Sequence, residues 1–182
     1  MPLNHSSEFA ALTDDQHGAI GRVVVEWSNV EYMLSVLLSR LLRTPEYLGR
    51  TYSAGLTAVR LQTAISEAVD VHRKRYGRKI IAEEILVRIE SANQRVTSLR
   101  ANRNKISHFC WCRTDDESVF GSSLAGGVPS EKWERKNSKE LTLAELRGLC
   151  VEAYSATEEL MLIVSLIKPV DECAAFQETS SE

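Results

Sequence analysis

Arg103 and His108 are the residues of this 182-residue chain best suited to chemistry. They lie in the stretch Leu99-Arg100-Ala101-Asn102-Arg103-Asn104-Lys105-Ile106-Ser107-His108-Phe109. A guanidinium stays charged at any physiological pH, and an imidazole titrates near neutrality. On an ideal helix the two are separated by about 140° around the axis. The arginine is long and His108 falls where the helix is expected to end, so both can reach one groove. Asn104 precedes His108 by one helical step of four and can orient the imidazole. Metal-free cleavage of an RNA strand needs few parts. A base takes the 2′-hydroxyl proton, an acid protonates the leaving 5′-oxygen, and a cation steadies the charged phosphorane. One histidine supplies one acid or base; a two-fold dimer would bring two Arg/His pairs together. The competing reading is structural, with His108 capping the helix and Arg103 held by carbonyls or by Glu31. Spacing alone favours the structural reading.

The elements that must position these residues are long and helical. Thr13-Asp14-Asp15-Gln16 is a helix start: an N-cap hydroxyl, two acids at the positive dipole end, and a glutamine where a capping box needs one. Ile20, Val24, Trp27, Leu34, Leu38 and Leu41 follow at helical spacing until Thr44-Pro45. A helix of about 30 residues is some 45 Å long and needs long partners, which means a bundle. Glu31 interrupts its apolar stripe. A carboxylate there either reaches water at the stripe's edge or faces a polar pocket, opposite Arg103 in the functional reading.

Residues 46–55 read as a short connector with room for a helical turn. A second long helix spans about Leu56 to Tyr76 and stops at Gly77. Its end, His72-Arg73-Lys74-Arg75, suits the helix dipole, with an RNA-backbone contact as the minority reading. His17 and His72 are expected to be exposed. A third helix runs from near Arg78 to His108, its stripe passing through Ile81, Ile85, Ile89, Ala92, Val96 and Leu99 to Arg103. Phe109–Arg113 and Ser118–Gly121 read as a hairpin, and 132–136 as a third extended piece. Thr142-Leu143-Ala144-Glu145 is a capping box that opens a last helix, ended by Pro169. The fold class is therefore all-α, four to five helices with a hairpin-containing insertion at 109–140. Residues 1–12 are expected to be disordered, 13–168 to form the domain, and 169–182 to be a flexible tail.

Hydrophobic content of 43% and charged content of 26% read as globular, and no apolar run is long enough to span a bilayer. No secretory signal is read at the start, and four cysteines without a framework suggest reduced thiols, so a cytoplasmic location is expected. The net charge of −3 is unevenly distributed. Residues 60–105 hold 11 Lys/Arg against 5 Asp/Glu, whereas 113–182 hold 7 against 14. That contrast suits a localised anion site better than a long nucleic-acid track, and equally suits two solvated faces of opposite sign. His108, Cys110 and Cys112 lack a fourth ligand and the usual zinc spacing, so no metal is expected. There is no P-loop, no G-x-G-x-x-G and no nucleophile elbow, and no cofactor is expected.

Arg103-Asn104-Lys105-Ile106-Ser107-His108 resembles the R-N-x-x-x-H signature of the HEPN superfamily (higher eukaryotes and prokaryotes nucleotide-binding domains). Trp27-Ser28-Asn29-Val30-Glu31-Tyr32-Met33-Leu34 is similar to the Trp-x-x-x-Glu-x-x-Leu phrase in the first helix of several bacterial members. The resemblance covers about 13–168. It implies a four-to-five-helix bundle, a homodimer, and a metal-independent endoribonuclease in a toxin or defence setting. Arg103 and His108 would be catalytic, Asn104 would position His108, and Glu31 would support them. RNA is the implied substrate and an antitoxin or other protein the implied partner. The family also contains inactive members that only assemble or bind nucleotides. Members silenced by a nucleotidyltransferase carry tyrosine two residues after the histidine; here that position is Cys110, which puts such silencing in doubt.

Overall fold

Thr13 and Gln16 cap the first helix reciprocally. Gln16 N donates to Thr13 Oγ1 at 3.2 Å and Thr13 N donates to Gln16 Oε1 at 2.9 Å. The helix they open, α1, spans Asp14–Leu41. In the computed structural model, which describes residues 10–123 and 138–170, it is followed by α2 (Glu46–Ser53), α3 (Ala58–Lys74) and α4 (Glu83–His108). Strands β1 (Cys110–Arg113), β2 (Ser118–Ser122) and β3 (Ser138–Thr142) come next, then α5 (Leu143–Ser165). The described residues are mostly helical with one small sheet. Among the described residues no helix is long and apolar enough to cross a membrane.

The described residues fall into two compact units. One takes those of Met1–Trp27 and Leu99–Ala153, the other those of Ser28–Ser98 and Tyr154–Glu182. The first holds the sheet, an antiparallel β1-β2-β3 meander with Trp111 opposite Gly121 and Val119 opposite Leu141. Its core joins Ala19 and Val23 of α1, Ile106 of α4, Val119 and Leu141 of the sheet, and Leu146 of α5. Gln16 has a second task that local sequence does not reveal. It is fully buried, and Nε2 donates to Asp115 O at 2.7 Å and Ser118 O at 3.1 Å, fixing the β1–β2 turn on α1. Thr142 and Glu145 form the expected capping box of α5, with bonds of 2.8 and 3.1 Å.

In the second unit Val30, Leu34 and Leu37 of α1, Ile65 and Val69 of α3, Leu86 and Ile89 of α4, and Leu160 and Ile163 of α5 are buried. Polar ties set the helix register. Gln62 Nε2 donates to Asn93 O and to Thr97 Oγ1, both at 2.8 Å, and Arg95 pairs with Glu159 at 3.1 Å.

Several expectations are corrected. The segment 46–55 is largely an eight-residue helix. The third long helix starts at Glu83, not near Arg78, because Gly77 and Arg78 both take positive φ (56° and 62°) and reverse the chain. His72 is not exposed but buried; Nε2 bonds the Leu41 carbonyl at 2.8 Å, taking up one of the orphan carbonyls at the end of α1. A third strand exists, but at Ser138–Thr142; the expected piece at 132–136 lies outside the described residues, as do 1–9 and 171–182 with the terminal expectations placed on them.

Candidate functional site

The end of α4 is fixed from several directions. Ile106 is buried in the core of the first unit, and its carbonyl accepts from Trp111 Nε1 at 2.9 Å. Phe109 N continues the helical ladder to Lys105 O at 2.9 Å, and the Phe109 and Trp111 rings pack at 5.9 Å. Gly121 makes this possible: a Cβ there would lie 2.6 Å from the Trp111 ring. The backbone carrying His108 is therefore held on both sides.

His108 itself is exposed, and its ring has no partner among the described residues. It does not cap the helix. Arg103, half-buried, lays its guanidinium over the indole of Trp27, with Cζ 5.7 Å from the ring centroid. Such a stack holds a cation that cannot neutralise itself. The slot there, lined by Val23, Trp27, Leu99 and Leu149 among others, has a cavity volume of about 10 Å³, room for roughly one water. The slot has no room for a phosphate.

Asn104 is exposed, and its Oδ1 accepts from Arg103 Nη1 at 3.3 Å. It is thus turned toward the cation, where the sequence expected it to orient the imidazole; a charged donor is the stronger attraction. Because α4 stays helical through His108, the five-residue offset keeps Arg103 and His108 about 140° apart around the axis. Glu31, half-buried on α1, belongs to the second unit. There it lines an open cleft of about 440 Å³ together with Arg50 and Tyr47. The connector reading of 46–55 missed that cleft, although Pro45 followed at once by Glu46 is a usable helix-start signal.

Cys110 is exposed and Cys112 half-buried; both are free thiols, as is Cys150, whose thiol burial pushes up. Cys173 lies outside the described residues. Among the described residues there is no cluster of three or more His, Cys, Asp or Glu able to hold a metal ion. Comparison with family models, with curated proteins and with solved structures finds no match.

Proposed function

We propose that this chain is a metal-independent endoribonuclease of the HEPN type, acting as a homodimer. The observation that carries the reading is His108: exposed, without a structural task, on a backbone that Ile106, Phe109 and Trp111 hold in place. A surface imidazole on a rigid support is what proton transfer requires. Arg103, steadied by Trp27 and Asn104, supplies the cation five residues earlier.

In the reaction the 2′-oxygen attacks phosphorus and the bond to the 5′-oxygen breaks, giving a 2′,3′-cyclic phosphate and a 5′-hydroxyl. One proton leaves the 2′-hydroxyl and one reaches the 5′-oxygen. A single imidazole serves one of these transfers, so the partner copy's histidine serves the other. The two-copy site also answers the angular separation of Arg103 and His108 within one helix. A helical bundle of the HEPN kind, a cytoplasmic setting and a toxin or defence role with a protein antitoxin belong to the same reading.

The test is degradation of a mixed RNA by the purified chain in excess EDTA. His108→Ala and Arg103→Lys should each abolish it while the melting temperature of the His108 variant stays put. Equal activity in these variants overturns the assignment. A second reading has its own observation, the stacking of Arg103 on buried Trp27 in a slot too small for a ligand. In that reading the chain is a non-catalytic assembly module. It predicts no cleavage and a clear loss of melting temperature, or of dimer, in Arg103→Ala.

A further inference from the structure

The second unit leaves apolar surface uncovered where α1, α3 and α5 end. Two clefts adjoin there. One, of about 400 Å³, is lined by Leu42, Val71 and Tyr76 among others. The other, of about 410 Å³, is lined by Ile85, Leu166 and Lys168 among others. Arg43 and Ile80 line both, so the two form one groove. Gly77 and Arg78 shape it. Their positive φ turns the chain after α3, so that Ile81 is buried while its neighbour Ile80 stays 47% exposed. Leu42, Val71, Tyr76 and Leu166 are exposed to a similar degree. Single exposed apolar residues are ordinary, but large ones gathered around a concavity mark a binding surface.

Charge and chain connectivity together indicate the occupant. Among the described residues, those lining the groove include Arg43 and Lys168 and no carboxylate. The chain leaves α5 at this same rim. Ile167 is buried, and Arg43 Nη1 donates to Lys168 O at 2.8 Å, which anchors the departing backbone at the groove's edge. The segment that follows, residues 171–182, carries Asp171, Glu172, Glu178 and Glu182 and neither lysine nor arginine. Its one aromatic residue is Phe176, with Ala174 and Ala175 before it. The stretch from Val170 to Phe176 reaches at most about 20 Å, enough to carry the ring from the Lys168 rim into the groove.

We propose that residues 171–182 fold back onto the second unit, with the Phe176 ring seated in the groove and Asp171 and Glu172 facing Arg43 and Lys168. The ring takes apolar surface of Tyr76 and Ile80 out of water, and an aromatic pair with Tyr76 adds to that burial. The two acids bring to the rim the charge its own lining lacks. The tether makes the contact intramolecular, so one aromatic anchor holds where the same peptide, free in solution, would bind weakly. A second copy of the chain, or an acidic segment of another protein, would have to displace it to reach the same surface. The proposal uses no residue of the ribonuclease reading.

The test is photo-cross-linking of the full chain with p-benzoylphenylalanine in place of Phe176. Irradiation should attach that position to Val71, Tyr76, Ile80 or Leu166 of the same copy, with a yield that dilution leaves unchanged. Attachment between copies, attachment outside the groove, or no attachment overturns the proposal. Hydrogen exchange on the full chain gives a second readout that needs no photoreactive group. Phe176→Ala, and Asp171→Lys combined with Glu172→Lys, should each speed amide exchange over residues 78–82 by about five-fold or more, because an uncovered turn opens more readily. Residues 86–99 of α4, which lie away from the groove, should exchange as before. Exchange over 78–82 that ignores both changes also overturns the proposal. None of these results depends on whether the chain cleaves RNA.

Discussion

The ends of α3 and α4 look alike in sequence and behave differently in the fold. Each finishes in a basic turn containing a histidine, His72 in one and His108 in the other. At the end of α3 the basic groups of the last helical turn are paired within the chain, Lys74 with Asp70 at the surface. His72 is buried on the Leu41 carbonyl, and Arg73 is clasped by Glu83 at 2.8 Å and Glu90 at 2.5 Å. At the end of α4 the histidine is left to solvent, and the arginine rests on an aromatic face. A basic helix end is therefore no sign of a site by itself. Under the proposed function, what marks one is a histidine that the fold supports but does not employ.

The sharpest way to break this contrast is to remove each imidazole in turn. His108→Ala should lower RNA cleavage by about a hundred-fold or more, the usual worth of a general acid or base. Its unfolding free energy should stay within about 0.5 kcal/mol, as expected for an exposed residue. His72→Ala should do the reverse. It orphans the Leu41 carbonyl and opens a hole, costing about 2–3 kcal/mol in urea unfolding, with unchanged cleavage per folded molecule. A stability loss in the first or a cleavage loss in the second would erase the distinction.

The support beneath His108 can be loosened without touching it. Gly121→Ala drives a methyl into the Trp111 ring and should cost about 1–2 kcal/mol, with a shift in tryptophan emission and a partial fall in cleavage. The smallest effect belongs to the ion pairs of the α3 end. Arg73 beside Glu90 holds that carboxyl below its ordinary value of 4.5. Its stabilisation is present above that value and is lost as the pH falls through the lowered one. Because Glu90 is well exposed, Glu90→Gln should remove under about 1 kcal/mol at neutral pH, less in high salt, and nothing once the pH lies well below the lowered value. Urea midpoints of both chains, followed from pH 7 downward until the difference vanishes, check it.

Much of the local architecture was legible. Thr13 with Gln16 and Thr142 with Glu145 are capping boxes in sequence and in structure, because a cap is a three-residue agreement between neighbours. Arg103 on an apolar stripe announced a guanidinium that needed a carboxylate, carbonyls or an open pocket; the stack on Trp27 of α1 is a partner the spacing did not anticipate. Less legible were features set by distant partners. The burial of His72 depends on where α1 ends, and the second task of Gln16 depends on a turn about a hundred residues away. Asn104 faces Arg103 rather than His108 because two acceptable neighbours competed and the charged donor prevailed.

Periodicity, caps and breakers thus determined by themselves that the chain makes long helices, roughly where each begins and stops, and that Arg103, Asn104 and His108 gather at one helix end. These are short-range properties, settled by residues within a turn or two of each other. Tertiary structure alone decided which histidine is buried, that Arg73 is clasped by two carboxylates, and that a short helix after Pro45 walls a cleft with Tyr47 and Arg50. Burial and charge pairing depend on residues far apart in sequence meeting in space, and no local pattern records those meetings.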